Sequence, residues 1–76
     1  MRKNMKSVIE AFVNLKSKNE KTCHTDGTNI YSYNMLIAKR ENGEIFILPY
    51  KKAPSNITRS QVRALKVTFP NAKEMF

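Results

Sequence analysis

Between residues 5 and 16, Met5, Val8, Ile9, Phe12 and then Leu15 or Lys16 fall at the i, i+3, i+4, i+7 spacing of one helical face. This predicts an amphipathic helix. Ser7 and Glu10 have the spacing of a capping box, with Asn4 as an alternative cap. The polar run KSKNEK ends the helix. A second helical pattern begins near residue 58, where Thr58, Arg59, Ser60 and Gln61 form another capping box with Thr58 as the cap. Val62, Leu65 and Phe69 share one side of this helix, and Arg59, Arg63 and Lys66 share a neighbouring side. Pro70 stops it or starts a last turn. Val67-Thr68-Phe69 also reads as a short strand, which would end the helix near Lys66.

The middle of the chain alternates instead. Asn42-Gly43, set between two apolar runs, marks a two-residue hairpin, because a type I′ turn needs positive φ at both central positions. Counting outward pairs Arg40 with Ile45, Lys39 with Phe46, Ala38 with Ile47, Ile37 with Leu48 and Met35 with Tyr50. One face then carries Tyr31, Tyr33, Met35, Ile37, Phe46, Leu48 and Tyr50. It is the more apolar face and is expected to form the core. The opposite face, with Ser32, Asn34, Leu36, Ala38, Arg40, Ile45 and Ile47, is half apolar. It calls for cover by a helix, another strand or a second subunit. Pro49 cannot donate to the ladder, so the second arm ends there or lies at an edge. Residues 21–25 supply a third strand, and KKAPSN is the one clear linker. The expected architecture is α+β, a single domain over 1–76: helix, three-stranded antiparallel sheet, helix. Double-stranded-RNA-binding domains share this order, an analogy of fold alone. The lysine-rich start of their last helix has no clean equivalent here.

Composition narrows the setting. At 41% hydrophobic and 26% charged, with two glycines, the chain is too apolar for disorder. At 76 residues its core is small, and the single cysteine allows no internal disulfide. That favours a bound partner or oligomerisation, in the simplest case a homodimer. No apolar run approaches the roughly 18 residues of a membrane span, and the basic N-terminus lacks the apolar stretch of a signal peptide. Together with the lone thiol, this points to the cytoplasm. Fourteen Lys and Arg against six Asp and Glu give a net charge of +8, which implies an anionic partner (nucleic acid, an acidic protein face or a membrane surface) or else a solvated surface kept soluble by like charge.

Three groups of residues suggest chemistry. Cys23, His24 and Asp26 are residue types of nucleophilic and metal sites. Adjacent strand residues point to opposite faces, however, so Cys23 and His24 diverge. As a metal site the group offers three ligands at best, packed too tightly. We read Asp26-Gly27 as a turn, Cys23 as a small core residue and His24 as polar surface, with no catalytic residue, metal or cofactor expected. The aromatic group Tyr31, Tyr33, Phe46 and Tyr50 would stack bases if exposed, but its apolar face makes it the expected core. The third group surrounds the start of the second helix. Lys51 and Lys52 lie upstream, Ser55, Thr58 and Ser60 supply hydroxyls, and Arg59, Arg63 and Lys66 line the next face. A helix N-terminus already favours anions. The candidate binding residues for nucleic acid or an acidic partner are therefore Lys51, Lys52, Thr58, Arg59, Ser60, Arg63 and Lys66. No Walker-type glycine loop is present, which argues against nucleotide hydrolysis.

The segments HTDGTNIYSYNMLIAKRENG and SNITRSQVRAL, spanning roughly residues 23–65, resemble a family of small uncharacterised proteins of tailed bacteriophages and related mobile elements. Asp26, Gly27, Tyr31, Ser32, Tyr33, Asn34, Thr58 and Gln61 carry the resemblance. Family members often place a histidine directly before the Gln, where this chain has Ser60. The resemblance brings no catalytic residues. It implies the cytoplasm of an infected bacterium and a role as a DNA-binding accessory or as an inhibitor of host machinery, including CRISPR-type defence.

Overall fold

The computed structural model describes residues 3–75. Helix α1 (Lys3–Val13) buries Met5, Val8, Ile9 and Phe12, the face expected from their spacing. Neither Asn4 nor Ser7 caps it: both lie inside the helix, whose first described residue is Lys3. Its C-terminus closes as a Schellman turn. Lys16 N–H donates to Ala11 O at 2.8 Å and Leu15 N–H to Phe12 O at 3.2 Å, satisfying carbonyls that the helix leaves free. This puts Leu15 in the left-handed region at φ +59°, where glycine is usual.

Six strands follow the α+β order: β1 (Lys18–Asn19), β2 (Cys23–Thr25), β3 (Asn29–Ser32), β4 (Met35–Glu41), β5 (Glu44–Ile47) and β6 (Lys73–Glu74). They form one sheet in chain order. Every pairing is antiparallel except β5 with β6, which runs parallel. A parallel pair needs a crossover. It is supplied by a single 3-10 turn (Tyr50–Lys52) and helix α2 (Asn56–Thr68). The α+β class is as expected, but the sheet has six strands, not three: the expected single arm from Tyr31 to Arg40 folds back on itself as β3 and β4, and β1 and β6 are short additions. The hairpin register holds: Ala38 pairs with Ile47, Lys39 with Phe46 and Arg40 with Ile45. Asn42 and Gly43 both take positive φ, +54° and +79°.

The expected core face is overturned. Both helices pack on the side carrying Cys23, Thr25, Ile30, Ser32, Ala38 and Ile47, and His24, Tyr31, Leu36, Lys39 and Phe46 lie on the other. The two faces divide much as counted, with Ser32, Ala38 and Ile47 opposite Tyr31 and Phe46, but the buried side is the other one, because two irregularities remove Tyr33 and Ile37 from the face that they made look the more apolar. Tyr33 leaves the strand for the β3–β4 turn, at φ +54° and exposed. The β3–β4 register then shifts, so that Ile30 pairs with Ala38 while Tyr31 pairs with Leu36. Ile37 is the extra residue of this bulge, and both it and Ala38 are fully buried. Leu48, past the end of β5, also enters the core and donates to Ile37 O at 2.8 Å.

Arg40 locks the helix layer to the sheet. Its guanidinium donates to Gly27 O at 2.6 Å and to Phe12 O at 2.9 Å, and its carbon sits 4.1 Å from the Phe12 ring centroid. One basic side chain is thus committed to the fold, on the last turn of α1, where a cation also suits the helix dipole.

Candidate functional site

The Cys23, His24 and Asp26 side chains go three ways. Cys23 is buried under the helices. Burial pushes its thiol pKa up, a hydrogen bond with Thr22 opposes this, and the Glu20 carboxylate adds to it. A thiol held protonated is a poor nucleophile. His24 lies on the open sheet face, its ring stacked on Tyr31 at 4.9 Å and 18°. Asp26 accepts from Asn29 N–H at 2.8 Å and Thr28 N–H at 2.9 Å, and these bonds hold its carboxyl pKa below the ordinary value. It shapes the turn in which Gly27 takes φ +96°. The three groups share no reaction centre.

Helix α2 buries Val62 and Leu65, and Phe69, just past its end, meets Phe12 edge-on at 5.9 Å. That leaves Arg59, Arg63 and Lys66 exposed on the outer face, with Ser60 beside them. The short-strand alternative for residues 67–69 is not formed. The cap is Ser55, not Thr58: Ser55 Oγ accepts from Thr58 N–H at 3.2 Å. Thr58 also falls out of the binding set. It is 3% exposed, and its hydroxyl accepts from Ser55 Oγ at 3.1 Å and lies 3.0 Å from Ser32 Oγ. It fastens α2 to β3. Gln61, one turn on, does the same for the β1–β2 turn through its Nε2, 3.3 Å from both Thr22 O and Thr22 Oγ1.

The remaining expected residues gather on one surface. Lys51 and Lys52, exposed in the 3-10 turn, run into the N-terminus of α2, whose first turn holds no acidic residue. Between Glu44 and Glu74 the chain has no Asp or Glu at all, against Lys51, Lys52, Arg59, Arg63, Lys66 and Lys73. Glu20, Glu41 and Glu44 pair with Lys18, Lys39 and Lys73. Among the described residues no carboxylate pairs with Lys51, Arg59, Arg63 or Lys66. Unneutralised cations beside a helix N-terminus make a local positive field.

One member of this surface was not expected there. Tyr50, assigned by pattern to the core, is 40% exposed, and the Arg63 guanidinium stands 5.5 Å from its ring centroid. The ring lines two shallow recesses. One is lined by Tyr50, Asn56, Arg59, Ser60 and Arg63, the other by Tyr50, Arg63, Lys66 and Val67. They measure about 180 and 310 Å³. Both lie open to solvent, so they are surface recesses suited to a polymer or a partner surface and not enclosed small-molecule sites. The acid-free run after Glu44 is the signal that would have drawn Tyr50 into the set.

The open sheet face forms a second, weaker candidate. It carries the His24–Tyr31 stack, Leu36, and Phe46 with Lys39 Nζ 5.5 Å from its centroid. Its lysines, Lys39 and Lys73, are each paired with a glutamate, which leaves it far less positive than α2.

Among the described residues no helix is long and apolar enough to cross a membrane. Compared with protein-family models, curated proteins and solved structures, the chain matches none.

Proposed function

We propose that the protein is a small non-enzymatic accessory that binds nucleic acid through the basic surface of α2. Lys51, Lys52, Arg59, Arg63 and Lys66 contact phosphates, and Ser60 assists. The observation that carries this reading is the concentration of exposed cations around α2 in a stretch with no acidic residue. Phosphate contacts are sequence-independent and supply most non-specific affinity. The setting that fits is the bacterial cytoplasm during infection. Titration of a fluorescent oligonucleotide at low salt tests the reading. Binding is expected for the wild type, and Arg59→Glu with Arg63→Glu lowers affinity for all base sequences alike. No binding to DNA or RNA at low salt sinks it.

A second reading is an inhibitor of host machinery or defence that acts by protein contact. The open sheet face favours it, because Tyr31, Leu36 and Phe46 lie there without a covering helix. Pull-down from bacterial lysate would then recover one stoichiometric protein that survives nuclease treatment. Purely nuclease-sensitive recovery counts against it.

A further inference from the structure

Resting on the nucleic-acid reading, we infer that the α2 surface takes single-stranded rather than duplex nucleic acid, with a base stacked at Tyr50 and phosphates held on either side of it. A duplex offers a protein surface its phosphates and groove edges, and the faces of its bases are hidden in the stack. A purely cationic helix face would serve for that. This surface adds two features with no use against a duplex backbone. Tyr50 presents an aromatic ring at the surface, beside the Arg63 guanidinium. Val67, 73% exposed, lines the larger recess next to that ring.

Their placement among the cations matters. The ring lines both recesses, one together with Arg59 and Arg63 and the other together with Arg63 and Lys66. An unpaired base laid against Tyr50 therefore has a cation within reach of the phosphate before it and of the phosphate after it. Aromatic rings and guanidinium planes interleaved with basic side chains are how single strands are held without reading their sequence. The open sheet face has rings as well, but its two lysines are neutralised by Glu41 and Glu44, so it lacks the phosphate half of such a site.

The test is a binding titration at one fixed salt concentration. It uses a labelled single-stranded oligonucleotide and a duplex of the same length, with DNA and RNA as separate arms. Tighter binding of the single strand than of its own duplex is expected in at least one arm. Tyr50→Ala should weaken single-strand binding by about 5- to 150-fold, the range of one lost base–aromatic stack, and leave duplex binding within about twofold. Tyr50→Phe should bind single strands like the wild type, since stacking uses the ring. Photocrosslinking of a halogenated-uracil single strand to the wild-type protein should map to Tyr50, a readout that does not depend on the Ala variant folding. Equal binding of both forms with no effect at Tyr50, or crosslinks confined to Tyr31 and Phe46, overturns the single-strand inference and leaves nucleic-acid binding standing. Absence of binding to every probe overturns both.

Discussion

At the residue scale, side chains that suggest chemistry by type prove to be fasteners, and that is testable. Thr58 joins a hydroxyl chain that runs from the exposed Ser55 to the buried Ser32. Thr58→Val should cost about 1–3 kcal/mol of stability, because it leaves Ser32 Oγ without its partner, and should leave oligonucleotide affinity of the folded protein unchanged. Denaturant melts and binding titrations separate the two effects. Asp26 gives a pH signature. Its folded pKa is lowered by the N–H groups of Asn29 and Thr28, so it stabilises the fold above the ordinary carboxyl value of about 3.9. That contribution is lost as pH falls through the folded value. Asp26→Asn keeps an acceptor and removes the titration, so its stability should decline less than the wild type's between about pH 5 and pH 2. An identical decline in both would show that the turn carboxylate contributes nothing.

At the element scale, the end of α1, the β2–β3 turn and β4 form one joint. A Cβ on Gly27 would lie 3.0 Å from the Leu15 carbonyl carbon and oxygen, and Gly27 already has φ +96°. Gly27→Ala should destabilise by more than about 1 kcal/mol. Leu15→Gly should do the reverse, raising stability by up to about 1 kcal/mol, since the Leu side chain is 68% exposed and its left-handed backbone is strained. Arg40→Lys cannot reproduce the fork to Gly27 O and Phe12 O and should cost about 1.5–3 kcal/mol. Thermal melts of the three variants check the order. The same elements show what pattern reading reaches. Helix faces were legible because Met5, Val8, Ile9 and Phe12, and later Val62 and Leu65, repeat at helical spacing. The hairpin was legible because Asn42-Gly43 has few other uses. The buried sheet face was not. Tyr33 adopts a positive φ that tyrosine rarely takes, and the Ile37 bulge shifts register inside an unbroken apolar run, so strict alternation credited both side chains to the open face and made it look the more apolar. The two-residue strands β1 and β6 are too short to show any period.

At the scale of the whole molecule, the fold sorts its positive charge. Arg40 is spent on packing, and Lys18, Lys39 and Lys73 are paired. Of the cations without a carboxylate partner among the described residues, Lys3, Lys6, Lys16 and Lys21 lie on α1 and in turns, and Lys51, Arg59, Arg63 and Lys66 gather at α2. The cationic part of the candidate site was readable from helical spacing. Tyr50 was hidden because the chain leaves β5 at Leu48 and Pro49, two residues before the position where alternation would have buried it. If Lys51, Lys52, Arg59, Arg63 and Lys66 each meet a phosphate, the salt dependence of binding counts them. The measurement is log affinity for a short single strand against log salt concentration, for the wild type and for Arg59→Ala with Arg63→Ala. The wild-type slope should be about −3.5, roughly −0.7 for each of five phosphates, and the double variant should lose about 1.4 of it. A flat wild-type plot, or a slope unchanged by removing both arginines, would show that the α2 cations do not hold phosphates.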